Sequence, residues 1–454
     1  MESARAYAWK ALNRIILEHG YASLILRGME GYSREDRSLI SEIVYGTLRN
    51  YTRLSYQWED LASHVKQKTA VLLNMSVYQL FFLDRIPDYA VINEACSLVS
   101  EKEKGFVNAV LHKVQKRGMI APEFHDELER MAFETSHPLW LLKLWSAHYG
   151  MENAVKIAEA DQQRPIVYGR RNPLKISREE LFSDRKVHFL EADCFTYDGI
   201  LTETSWFDEG KVLIQDRASQ AVGRLLEAEP GMCVLDACAA PGTKTQEIAS
   251  EMKNQGMITA LDLHEERVKL IEQLMVKTGV SIVSCRAADA SKPIMGMEPE
   301  SMDRILVDAP CSGLGDLSHK PEIRMHVTPE SLDELTKLQA SILENAAAYL
   351  KKGGRMVYST CTLNRKENEN QVNTFLKRHP EFERISEKTW FPYELESDGF
   401  YAAVLTKTGS AMVKSDLLQL EKRKMLDNPI VKGKSSIFRM ICFSCMRGLI
   451  RKFF

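Results

Sequence analysis

The rhythm of apolar and polar positions changes twice along the 454 residues of the chain. Up to about residue 135, apolar residues recur three and four apart, as in YAWKALNRIILEHG and DRSLISEIVYGTLRNY, and Gly, Pro and β-branched runs are sparse. That spacing puts the apolar side chains on one face of each helix, so this part predicts a helical bundle. Ser33, with Asp36 three residues on, has the pattern of a capping box opening the second helix. TAVLLNMSVYQLFFL, residues 69–83, is the best candidate for a membrane span. It is shorter than the roughly 18 residues needed, and Asn74, Ser76 and Gln79 interrupt it, so it predicts a buried helix.

Residues 136–209 are mixed. SHPLWLLKLWSAHYG and MENAVKIAEADQQ are helical, and RPIVYGRRNPL, KVHFLEADC and short turns follow. In RPIVYGRRNPLK, Arg164, Arg170, Arg171 and Lys175 surround Tyr168. Such a strand can grip a nucleic-acid backbone and stack a base. The plainer expectation is a solvated, basic strand edge.

From about 210 the pattern alternates. CVLDA, MITALD, SIVSCRA, DRILVD and RMVYST read as strands, separated by amphipathic helices such as TKTQEIASEM and EERVKLIEQLMVKT. Strand–helix repetition predicts a doubly wound, mostly parallel sheet. Ligands of such sheets bind beyond the carboxyl ends of the strands, so the residues just after each apolar run matter most.

The first of these strands leads into DACAAPGTKT. Ala239, Ala240 and Gly242 let backbone approach a ligand closely, and Thr243 and Lys244 open a helix whose amides favour an anion. The spacing is neither that of a dinucleotide fingerprint nor that of a Walker loop. The next three strands end at or before Asp262, Asp289 and Asp308. An acid in the position of Asp262 commonly takes a ribose diol. Three acids around a small-residue loop, without phosphate-binding glycines, point to S-adenosylmethionine.

Composition refines this picture. Apolar residues make up 44% and charged residues 27%, the balance of a soluble globular protein. The start, MESARAYAWK, has no apolar run behind it, so no export signal is expected. The nine cysteines are then expected to be reduced, in a cytoplasm. Net charge is −2, but residues 410–454 carry ten Lys/Arg against three Asp/Glu, leaving −9 on the rest. RNA binding must therefore rest on local patches.

Two cysteines are placed distinctively. Cys311 follows Asp308 in VDAPCSGLG, and Cys361 follows the next strand in YSTCTLNRKENE. Neither has His or Cys neighbours at metal spacing, so no metal site is expected. A methyl donor with two thiols suggests cytosine chemistry. A thiolate adds to carbon 6 of the ring, carbon 5 then attacks the methyl group, and loss of the carbon 5 proton expels the thiolate. The base must be unpaired or flipped out.

At this point DACAAPGTKT, DAPCSGLG and YSTCTLNRKENE resemble motifs I, IV and VI of RNA cytosine-5 methyltransferases. They are most similar to bacterial Sun/Fmu (RsmB-type) enzymes of small-subunit ribosomal RNA, within the NOL1/NOP2/Sun group. VLIQDRASQ and DGFYAAVL resemble the entry segment and the last strand of that catalytic domain. DRSLISEIVYGTLR and GFVNAVLHKV resemble its NusB-like RNA-binding domain.

The resemblance implies an all-α NusB-like domain at 1–135 and a linking α+β subdomain at 136–209. It further implies a Rossmann-like class I methyltransferase domain at 210–409, with 410–454 as an extension of unknown role. It implies cofactor contacts from Cys238, Ala239, Ala240, Pro241, Gly242, Thr243, Lys244, Asp262, Asp289 and Asp308. It makes Cys361 the nucleophile, Cys311 the residue that helps release product, and Asp308 the acid at the cytosine. Small-subunit ribosomal RNA is the expected partner and a monomer the expected state. Thr243 departs from the second Gly usual in the family, and retention of Lys244 predicts only modest disturbance. The extension contains Cys442-x-x-Cys445, weak evidence for zinc or redox chemistry on its own. An RNA-binding assembly protein without catalysis, a cytosine-5 methyltransferase acting on another RNA, and a DNA enzyme using Cys311 as nucleophile are the competing readings.

Overall fold

The computed structural model describes residues 2–408; the extension from 410, with its cysteine pair, lies outside them. Residues up to Arg117 form helices around one core, in which Leu12, Ile43, Leu48, Leu72 and Leu111 are buried. The helix Gln67–Phe82 runs through it with its middle, Val71–Gln79, all buried, as expected of its apolar sequence. Its polar interruptions are satisfied inside the bundle: Asn74 accepts from the Trp58 indole at 2.7 Å and donates to Ser55 at 2.9 Å. Ser33 caps the helix Arg34–Arg49 by accepting the Asp36 amide at 3.0 Å.

The helices Glu127–Glu134, Leu139–Tyr149 and Met151–Ala160 follow. They pack on the second half of the chain. Leu141, Leu142 and Trp145 share a core with Leu314, Leu317, Leu332 and Leu363. The Trp145 indole donates to the Leu363 carbonyl at 3.0 Å.

A small antiparallel sheet comes next, built from β1 (Gly169–Arg171), β2 (Val187–Glu191), β3 (Cys194–Tyr197) and β4 (Val212–Ile214), in the order β2-β3-β1-β4. The basic segment expected to contact nucleic acid or solvent does neither through Arg170 and Tyr168. Strand β1 is interior to this sheet, and Arg170 is 2% exposed. Its guanidinium donates to Gln215, Gln246 and the Thr243 carbonyl. The Tyr168 hydroxyl donates to the carbonyls of Leu395 and Glu396. A buried guanidinium has to fill its donors inside the protein, so Arg170 ties the small sheet to the helix that opens at Thr243.

The large sheet contains β5 (Cys233–Asp236), β6 (Met257–Asp262), β7 (Val283–Ala287), β8 (Met302–Asp308), β9 (Leu350–Thr360), β10 (Phe382–Trp390) and β11 (Phe400–Lys407). Their order is β10-β11-β9-β8-β5-β6-β7. Strands β5 to β9 pair in parallel, and β11 and β10 join antiparallel at one edge. The chain leaves β5 toward β6 and β7, then crosses back to lay β8 on its other side. The switch point therefore lies between β5 and β8, where a crevice opens above the strand ends. Helices cover both faces, with one core around Ile305, Met356 and Tyr358 and another around Val234, Ile258 and Val357.

Arg324, 5% exposed, clamps the two halves together. It donates to the carbonyls of Arg49, Thr135 and Asp161. Glu322 accepts the Ala22 amide at 3.0 Å. Next to this clamp, buried His137 and Asp161 meet at 3.2 Å. Burial pushes Asp161 up to about 8 and His137 well below its ordinary range, so the pair is a neutral hydrogen bond.

Candidate active site

A cavity of about 930 Å³ lies over the switch point. Of the residues singled out in the sequence, Cys238, Ala240, Pro241, Thr243, Lys244, Asp262, Asp289, Asp308, Cys311 and Cys361 all line it. Ala239 and Gly242 stand behind its wall and shape the loop. The Ala239 amide donates to the Leu261 carbonyl and the Gly242 amide to the Ala239 carbonyl, both at 2.7 Å. Gly242 has φ +105°, and a Cβ there would press on Ile271 and Leu274 at 3.2–3.3 Å. Only glycine fits both the dihedral and the space. Thr243 is the first residue of the helix Thr243–Glu251 and needs no glycine dihedral, so its departure from the family pattern costs the turn nothing.

The acids along the strand ends differ in environment. Asp262 closes β6, and its carboxylate accepts the His264 amide at 3.2 Å, with Arg267 at 3.4 Å. Asp289 accepts from the amide and hydroxyl of Ser291 and pairs with Lys292 at 2.8 Å. The Lys292 and Ser291 contacts lower it to about 2. Asp236, which ends β5, was not singled out in the sequence. One of its oxygens accepts from the Thr245 hydroxyl at 2.7 Å, while the other is buried without a partner. Burial raises it to about 7. An orphaned acceptor beneath a small-residue loop suits a ligand that brings a donor or a positive charge.

At the ends of β8 and β9 the catalytic candidates converge. Asp308 accepts from Lys244 Nζ at 2.8 Å and from the Ser359 hydroxyl at 2.7 Å. Burial works against the Lys244 ammonium, but the Asp308 carboxylate outweighs it and raises the lysine. The sulfurs of Cys311 and Cys361 are 3.3 Å apart. Their hydrogen bond, with burial added, pushes the Cys311 thiol well above its ordinary range.

The loop that carries Cys311 is fixed from beneath by Glu367, a fully buried carboxylate. It accepts the Ser312 amide and hydroxyl, Gln339 and Asn364 at 2.6–3.0 Å. Four donors compensate its desolvation. The acidic run around it in YSTCTLNRKENE was the available signal, but nothing in it marks which acid turns inward.

The cavity also collects Asp316, His319, Lys320 and Asp398, which sequence reasoning passed over. Asp398 precedes its strand instead of following it, and the other three lie inside a loop. His319 Nδ1 meets Asp398 at 2.8 Å and Asp316 at 3.5 Å, and Lys320 reaches Asp316 at 2.5 Å. Burial alone would lower His319, but Asp398 and Asp316 outweigh it and bring it up to about 9.

The parallel sheet with its crevice, the strand-end acids and the helical N-terminal half define a Rossmann-like class I methyltransferase fold with an appended all-α domain. The description "16S rRNA methyltransferase RsmB/F" matches residues 224–406, "NusB family" residues 2–116, and "Methyltr_RsmF/B-like, ferredoxin-like domain" residues 137–192. The chain belongs to the ribosomal RNA small subunit methyltransferase B family. It is 37% identical to "Probable ribosomal RNA small subunit methyltransferase B" of Bacillus subtilis, over 90% of this chain and 99% of the relative. It is 32% identical to "Ribosomal RNA small subunit methyltransferase B" of Yersinia enterocolitica, over 89% and 98%. A solved methyltransferase homolog protein from Pyrococcus horikoshii superposes with a TM-score of 0.56 at 26% identity, covering 63% of this chain and all of that one. Among the described residues no helix is long and apolar enough to cross a membrane.

Proposed function

We propose that the protein methylates carbon 5 of a cytosine in small-subunit ribosomal RNA, with S-adenosylmethionine as donor, through a covalent adduct at Cys361. The observation that carries the reading is the pair of sulfurs at 3.3 Å beside the Lys244–Asp308 pair, in one cavity with the acids of the cofactor crevice. The names and nearly full-length coverage of the relatives support ribosomal RNA as the substrate.

In this reading the loop 238–244 lies against the cofactor, Asp262 takes its ribose hydroxyls and Asp289 its adenine end. The cofactor, when bound, supplies an electrophilic methyl group. Cys361 adds to carbon 6 of the flipped base, which makes carbon 5 nucleophilic. Asp308, held by Lys244 and Ser359, lies at nitrogen 3 of the ring, and the Lys244 ammonium paired with it offsets the negative charge that builds there as the adduct forms. Cys311, kept a thiol by its hydrogen bond and burial, stands next to Cys361 to help the finished base leave.

The test is to incubate the full chain with labelled cofactor and unmodified small-subunit ribosomal RNA, then digest to nucleosides. Label in 5-methylcytidine supports the reading. Label in another nucleoside, or tight RNA binding without label, overturns it.

A further inference from the structure

We infer that Cys311 and Cys361 form an oxidisable dithiol, a modification site that a hydroperoxide converts reversibly into a disulfide. Among the described residues they are the only hydrogen-bonded pair of cysteine sulfurs. A disulfide needs the sulfurs at about 2.05 Å, so each thiol has only a fraction of an ångström to travel from the present 3.3 Å.

The backbones beneath them are tied on both sides. Asp308 lies opposite Ser359 in the β8–β9 ladder, the Ala309 amide donates to the Ser359 carbonyl at 2.9 Å, and the Gly315 amide donates to the Cys361 carbonyl at 3.1 Å. The approach is therefore a matter of side-chain rotation. Both residues are half-buried and line a cavity large enough to admit a small peroxide. Cys311 is held as a thiol by its contact with Cys361 and by burial, which leaves Cys361 as the sulfur that meets the oxidant.

The balance is complete with hydrogen peroxide as oxidant. The Cys361 thiolate attacks one peroxide oxygen, the O–O bond breaks, hydroxide leaves, and Cys361 becomes a sulfenic acid. The Cys311 sulfur then attacks the Cys361 sulfur, the S–O bond breaks, and the hydroxyl departs with the Cys311 proton as water. Two thiols lose two electrons and the peroxide becomes two waters. A dithiol reductant restores both thiols. The bridge occupies both sulfurs and so prevents adduct formation, while protecting Cys361 from irreversible sulfinic acid. The inference stands on the sulfur geometry and goes beyond the methylation reading.

The test uses the full chain without RNA, treated with hydrogen peroxide, alkylated and mapped by peptide mass spectrometry. The expected result is a peptide pair joined through Cys311 and Cys361, about 2 Da lighter than the two thiol peptides together and released by dithiothreitol. Reading at the peptide level separates it from any bridge between Cys442 and Cys445. In Cys311→Ser, Cys361 is expected to accumulate sulfinic acid that dithiothreitol does not reverse. In Cys361→Ser, Cys311 is expected to remain a thiol under the same treatment. Circular dichroism confirms that each variant is folded. Absence of the linked peptide, or sulfinic acid at Cys361 in the unaltered chain as fast as in Cys311→Ser, overturns the inference. Methylation assayed in reductant tests the other reading separately.

Discussion

Gly315 donates its amide to the carbonyl of Cys361 at 3.1 Å, and its own carbonyl accepts the Gly399 amide at 2.7 Å. Three segments far apart in the chain meet there backbone to backbone: the loop after β8, the turn after β9 and the entry to β11. A Cβ on Gly315 would sit 2.0 Å from the Gly399 carbonyl oxygen. Gly315→Ala should therefore destabilise the protein by roughly 1–3 kcal/mol. It should also slow methyl transfer more than it weakens cofactor binding, because the shift falls between the two thiols. Thermal melting and cofactor titration on the same sample check both.

The two cysteines should fail differently. Cys361→Ala is expected to give no covalent RNA adduct, since it removes the attacking sulfur. Cys311→Ala is expected to accumulate adduct, since attack survives and release does not. Denaturing gels with labelled RNA distinguish them, and the reverse result would reassign the nucleophile.

The Lys244–Asp308 pair should be felt in rate. Asp308→Asn keeps the shape but loses the charge that holds Lys244, and methyl transfer should fall by roughly a hundredfold or more. Single-turnover rates with saturating cofactor separate this from weaker binding.

Asp262 and Asp289 should not contribute equally to cofactor affinity. Asp262 spends one backbone amide and a longer contact to Arg267, leaving capacity for ribose hydroxyls. Asp289 is already filled by Ser291 and Lys292. Asp262→Ala should raise the cofactor Kd about tenfold or more, worth about 1.4 kcal/mol, and Asp289→Ala less, as read by calorimetry.

His319 makes stability depend on pH. Its folded-state pKa of about 9 lies above the ordinary imidazole value, owing to Asp398 and Asp316. Its contribution is thus fully present below about pH 6.5 and lost as pH rises through the folded value. The Tm difference between the wild-type chain and His319→Gln should be largest near pH 6 and close to zero near pH 10. A constant difference would mean that His319 acts through packing alone.

Strands β5, β6 and β8 were legible because each is an apolar run closed by an acid, whereas the charged edge strand β10, FERISEKTW, gave no such signal. The segment MITALD predicts the strand Met257–Asp262 without error, and Asp308 falls at the end of its strand. Asp236 also ends its strand but was overlooked, because its burial and orphaned oxygen leave no trace in sequence. RPIVYGRRNPLK misled because local charge says nothing about depth. Only the pairing of β1 between two neighbours turned Arg170 into an interior clamp.

Sequence by itself therefore determined the periodicities, the order of the elements, the row of acids and the two Pro-Cys and Thr-Cys turns, all properties of residues adjacent along the chain. Tertiary structure decided that the sulfurs touch, that Lys244 holds Asp308, that Glu367 turns inward and that His319 meets Asp398. Those contacts join residues 3 to 79 positions apart whose meeting is set by strand register and loop docking, which no local pattern of side chains encodes.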